Sequence, residues 1–183
     1  MRLIILIILI VGSLAAGAQA TMIPRVSVEQ LVDQSDSIVT GRVIRSWTGW
    51  DPAHQYIWTH TEIQVSSVTK GPAGSTMVVS EPGGQLDGRA LRVDGAVQYS
   101  PGEQVLLFVA NTPNGYQRTV GWGQGKFLIT PDNRIHATAS AAEFVDRRGL
   151  AQNGTSARGL DGALLSDARA RVTAQLHRKA AGQ

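Results

Sequence analysis

The chain has 183 residues, no cysteine and a net charge of +3, which excludes disulfides, thiolate metal sites and a cysteine nucleophile. The charge is unevenly spread: acidic side chains outnumber basic ones from Thr21 to Asp146, and basic ones dominate from Arg147 onward. The basic character therefore belongs to the C-terminal part and not to the body of the protein.

Residues 1–20 read as a cleavable signal peptide. Met1-Arg2 is followed by the apolar block Leu3 to Leu14 and by Ala18-Gln19-Ala20, an A-x-A site before Thr21. The apolar block is shorter than the ~20 residues that span a bilayer. This pattern predicts a secreted or periplasmic protein with no transmembrane segment after cleavage. Residues 21–146 then form a β-rich domain, 147–162 a Gly-, Ala- and Arg-rich linker, and 163–183 a basic amphipathic helix and tail.

The first element of the domain is a short helix. Ser27-x-x-Gln30 is a capping-box pattern, and Val28, Leu31 and Val32 form one apolar stripe before Ser35-Asp36. Strand patterns follow at Ser37 to Arg45, where Gly41 marks a bulge or bend, and at Tyr56 to Val68. In the latter, Ile57, Thr59, Thr61, Ile63 and Val65 share one face, and Tyr56, Trp58 and His60 the other. Thr76 to Ser80, a strand near Ala90 to Val97, and the apolar run Gln104 to Ala110 come next, the last patterned for burial on both faces. Asn114-Gly115 signals a hairpin into Tyr116 to Val120. Lys126 to Thr130 and Arg134 to Ala137 complete the set. Leu165, Ala168, Val172 and Leu176 then make one stripe of the C-terminal helix. Short strands with glycine-rich turns predict a mainly β fold: a small OB-like barrel, with a β-sandwich as the alternative.

The succession Ser35-Asp36-x-Ile38-Val39-x-Gly41-x-Val43, Lys70-Gly71, Pro82-Gly83-Gly84, Pro101-Gly102-Glu103-x-Val105-Leu106-Leu107-Phe108 and Gly121-x-x-Gln124-Gly125-Lys126-Phe127 resembles a set of uncharacterised exported bacterial proteins. The start of the domain also loosely resembles netrin-like modules, OB-fold barrels that include tissue inhibitors of metalloproteases. The resemblance implies fold and export. It implies no inhibition, because those inhibitors present an N-terminal cysteine to the protease zinc and this chain has none.

Catalytic and metal chemistry find little support. His54 and His60 would stand about 20 Å apart along an extended strand, too far to share one ion, and His136 and His177 are isolated in sequence. No serine sits in a G-x-S-x-G elbow. No catalytic residue, metal site or cofactor is therefore assigned. The candidate binding residues are Trp47, Trp50, Tyr56 and Trp58, crowded around one hairpin, with Trp122 and Gln124 in the glycine-rich turn. Aromatic faces of this kind serve sugars and protein partners, although a covering helix would make the same residues a second core layer. The expectation is an exported, non-catalytic module binding a protein or glycan partner; the alternative is an envelope hydrolase or a protease-regulating domain. A nucleic-acid partner is not expected of a domain with this acidic balance. The basic C-terminal helix reads as docked on the domain or as a peripheral contact with the envelope.

Overall fold

The computed structural model describes residues 22–138, 143–145, 151–152 and 159–182. The expected signal peptide and most of the expected linker lie outside them. The protein is mainly β, with 45% of the described residues in strands.

The helix α1 (Val28–Gln34) begins where the capping box places it. The Ser27 hydroxyl accepts from the Gln30 N–H, and the Gln30 side chain accepts from the Ser27 N–H, so two orphan donors are satisfied reciprocally. Ahead of it, β1 (Met22–Pro24) pairs in parallel with β11 (Glu143–Val145), which pairs with β12 (Ala151–Gln152).

The main sheet is antiparallel and seven-stranded. Its long central strands are β2 (Ser37–Trp50) and β3 (Ile57–Lys70), flanked by β4 (Thr76–Pro82) on one side and β7 (Gln104–Asn111) on the other. Along its far edge β7 is paired first with β9 (Lys126–Ile129) and then with β8 (Gln117–Thr119), and β10 (Ile135–Ala137) follows β9. A 3-10 turn, Trp122–Gly125, joins β8 to β9. The ladder does not close into a barrel. A small separate hairpin, β5 (Gly84–Leu86) with β6 (Arg89–Leu91), takes the place of the strand expected near Ala90 to Val97. Only its first residues pair. After Leu91 the chain turns at Asp94-Gly95, with Gly95 at φ 81° and the Ala96 N–H donating to the Val93 carbonyl, and runs on as an irregular strap.

The register explains how the sheet bends. Between β2 and β3 it slips at Ile38/Val39, Thr40/Gly41 and Val43/Arg45, and each bulge adds local twist. At the middle slip the strands approach so closely that a Cβ on Gly41 would lie 2.5 Å from the Gln64 carbonyl oxygen and 2.7 Å from the Ile63 methyl. Only glycine fits there. β2 also runs past Arg45 to Trp50, because its extension pairs with the start of β3, which β4 pairs on its other edge.

Burial on both faces follows from this curvature. Val39, Val43, Ile63, Val79, Val105 and Leu107 pack inside the bend. Ile38, Leu106, Phe108, Phe127 and Ile135 point the other way, against Val28 and Leu31 of α1 and Ala168 and Val172 of α2 (Leu165–Ala181). The alternating run Val105 to Val109 is therefore buried throughout, each such side chain contributing about 1.5–3 kcal/mol relative to exposure. The C-terminal helix is docked: its stripe Leu165, Ala168, Val172 and Leu176 meets this second core, and Leu160, just ahead of it, is fully buried there.

Candidate functional site

Two features of the surface could hold a ligand: a ladder of rings outside the curved sheet and a cavity at its mouth.

The ladder starts on the β2–β3 pair. Directly paired residues share a face, so Trp47 lies beside His60 and Arg45 beside Glu62. The Arg45 guanidinium, paired with Glu62 at 2.6 Å, lies 5.1 Å over the Trp47 ring. Trp47 stands 5.6 Å from His60, His60 5.6 Å from Tyr116, and Tyr116 4.6 Å from Trp58. The Arg118 guanidinium then bridges Trp58 at 5.7 Å and Trp122 at 4.9 Å. Cations over ring faces are held by the ring quadrupole, so the line from Arg45 to Trp122 is continuous: four rings in contact from Trp47 to Trp58, held between the guanidiniums of Arg45 and Arg118, with Trp122 on the far side of Arg118. Trp47 is 41% exposed and crowns it. Within it, His60 Nδ1 lies 2.8 Å from the Ser80 hydroxyl, and burial holds the His60 pKa below its ordinary 6.5. Trp58 Nε1 and Arg118 Nε are buried without a hydrogen-bond partner among the described residues. Unpaired buried donors of this kind cost about 1–3 kcal/mol each.

Not every expected residue joins the ladder. Trp50 pairs with Ile57 and so projects from the opposite face, where its indole N–H donates to Asp87 at 3.0 Å and its ring stacks on His54. Tyr56 is 56% exposed on the connection between β2 and β3. Gln124 is fully buried. Its carbonyl oxygen accepts from the Val26 N–H, and its amide donates to the carbonyls of Pro24 and Gly121. Those bonds tie the segment before α1 to the glycine-rich turn, a latch within the chain. Trp47, Trp58 and Trp122 are thus brought together, while Trp50, Tyr56 and Gln124 are placed elsewhere.

Sequence reasoning overlooked the polar residues under the sheet. By alternation Glu81 shares the inward face of β4 with Met77 and Val79, and it is 2% exposed. Its carboxylate accepts from the Thr119 N–H at 2.8 Å and from Arg118 at 3.3 Å. Burial raises its pKa, against the hydrogen bond from Thr119 and the charge of Arg118. All pairings from β4 through β8 are antiparallel, so β4 and β8 run the same way, and this one side chain ties them where no backbone ladder does. Beside it, the Tyr99 hydroxyl lies 2.6 Å from that of Thr119. Lys126, 1% exposed, donates to the Gln98 carbonyl and to Glu103, both at 2.6 Å, and lies 4.6 Å over the Tyr99 ring. Burial lowers its pKa, partly countered by Glu103. The M-V-V-S-E-P alternation and a lysine inside an apolar strand were the signals that could have exposed these residues.

Above Glu81 opens a cavity of about 730 Å³, lined by Thr59, the Pro82-Gly83-Gly84 turn and the strap from Arg92 to Tyr99. Among the described residues no group of histidines and carboxylates has the arrangement of a metal site, and no helix is long and apolar enough to cross a membrane. No protein-family model matches the chain, and no curated protein matches it.

Proposed function

We propose that the protein is an exported, non-catalytic binding module that holds a protein or glycan partner on the ring-and-guanidinium ladder from Arg45 to Trp122. The single observation that carries this reading is the unbroken line of rings between two guanidiniums, with successive members 4.6–5.7 Å apart and Trp47 41% exposed near one end. Aromatic faces supply large contact area at low entropic cost, and arginines held against rings are already ordered before a partner arrives. Arg118 reaches through the seam to Glu81, which fixes the far end of the ladder to the interior.

The fold reading is an OB-like barrel left open. The strand order from β8 through β7, β2 and β3 to β4 supports it, as does the parallel approach of β4 and β8. Such barrels commonly present oligosaccharide or oligonucleotide ligands to one face, and the partner class here follows from the rings.

Replacing Trp47 and Trp58 with alanine, singly and together, tests the reading. Partner capture from the growth medium and envelope extract, compared with wild type by pull-down and glycan array, should fall at least tenfold for Trp47→Ala with the melting temperature unchanged. Undiminished capture by a folded double variant overturns it. Hydrolysis by the purified wild-type chain, abolished by neither substitution, would favour the envelope hydrolase instead.

A further inference from the structure

The cavity above Glu81 is built differently from the ladder and does not share its face. It occupies the mouth of the curved sheet, continuing the inner core, and its volume of about 730 Å³ falls within the range of small-ligand pockets, for which barrel mouths are a preferred location. Its walls are fixed. On one side Gly83 and Gly84 hold φ of 109° and 134°, and a Cβ on Gly84 would meet Thr48 and Thr59 at 2.7 and 2.8 Å. The Thr59 hydroxyl donates to the Gly83 carbonyl at 2.7 Å, pinning the turn. On the other side the strap is held at its end by Lys126 on the Gln98 carbonyl and by Tyr99 on Thr119, with Val97 buried. Between those anchors it covers the opening without regular pairing.

The floor decides the chemistry. A carboxylate can accept about four hydrogen bonds, and among the described residues Glu81 receives one from the Thr119 N–H at 2.8 Å, a longer one from Arg118 at 3.3 Å and a contribution from the Thr119 side chain. Acceptor capacity is thus left on a side chain that is 2% exposed and lines the cavity. A ligand there must bring donors. An ammonium is disfavoured, because the charges around the cavity are already paired, Glu81 with Arg118, Asp94 with Arg92, and Lys126 behind Tyr99 with Glu103. An anion would face the Glu81 carboxylate, with the Arg92 guanidinium at the rim already paired to Asp94. Neutral hydroxyl donors fit best, one hydroxyl meeting the remaining carboxylate acceptor while the strap and turn offer backbone groups to the rest of the ring.

We infer that this cavity is a binding site for a neutral sugar unit, with Glu81 accepting from its hydroxyls. The inference stands independently of the ladder. In the purified full chain, titration with cellobiose or N,N′-diacetylchitobiose, followed by amide NMR, should shift the resonances of Gly83, Gly95 and Gly123 saturably, with Kd at millimolar or below. Glu81→Gln keeps the acceptor for the Thr119 N–H and removes the charge, and should weaken binding at least tenfold. Ala96→Trp, which fills the cavity from the strap, should abolish it, and supplies the same test if the Glu81 variant does not fold. The inference fails if neither sugar gives a saturable shift at those glycines, if Ala96→Trp binds as wild type does, or if cadaverine or inorganic phosphate binds there in place of the sugars. Sugar shifts confined to Trp47 and Trp58 would overturn it while leaving the ladder reading intact.

Discussion

His60 shows how one side chain records its surroundings. It sits between Trp47 and Tyr116 against the Ser80 hydroxyl, and burial lowers its pKa from 6.5. Between that lowered value and 6.5 the unfolded chain binds a proton that the folded chain resists, so His60 makes stability rise with pH across this window and fall on acidification. The outcome expected is a melting temperature that drops from about pH 7.5 to about pH 5.5 more in wild type than in His60→Gln, with the difference between the two curves isolating this group. Gln124 makes the second residue-scale case. Gln124→Leu keeps the volume and strands the Val26 N–H and the Pro24 carbonyl; a loss of about 1–3 kcal/mol should appear in urea unfolding, together with faster amide exchange at Val26. From sequence, Gln124 stood out through its motif, and a binding role was the natural reading of a glutamine in a glycine-rich turn. Its three bonds run to residues that are distant in sequence or hidden by the turn, which no local pattern encodes.

At the scale of elements, local rules carried much of the fold. The capping box, the N-G hairpin and the two-sided apolar run each depend on neighbours within a few residues, and each is where the sequence places it. Strand limits were less legible, since β2 extends to Trp50 only because β3 is there to pair with it. The aromatic hairpin was half legible. Trp47 and Trp50 are an odd number of residues apart, so simple alternation already separates their faces; the contact of Trp58 with Tyr116 and Arg118 depends on how the sheet curls and was not readable. Gly41 is the element-scale test of that curl. Gly41→Ala forces a methyl into the Gln64 carbonyl and the Ile63 side chain, and should cost about 3 kcal/mol or more, seen as a lowered midpoint in urea and weakened exchange protection across β2 and β3. Gly88, with open space around its Cβ position, has no such clash and is the control, changing stability only through its left-handed φ of 72°.

For the whole molecule, the decisive arrangement is a curved sheet with one core inside the bend and another under two helices. The sequence pointed to a barrel, and closure is the part that could not be read. It depends on whether β4 and β8 join by backbone or by side chain, a contact between strands far apart in the chain. Ending the chain at Ala163 should uncover Ile135, Leu160 and Val28, which α2 covers. The expected result is a protein that binds a hydrophobic dye, aggregates on warming and loses exchange protection in α1 first, while the inner core around Ile63 and Leu107 persists longest. Equal loss throughout would mean that the two cores form one cooperative unit.

The docking of α2 beside α1 also has a temporal meaning. Val28 and Leu31, near the start of the domain, are sealed by Ala168 and Val172 near its end, so the first core to be written is the last to be completed. A chain emerging from a ribosome, or threading through a narrow pore, can assemble β2, β3 and β7 in passing but must carry one greasy face uncovered until its final helix arrives. During that interval the uncovered apolar face is the part of the molecule most open to aggregation, and fast synthesis or an escort shortens or shields it.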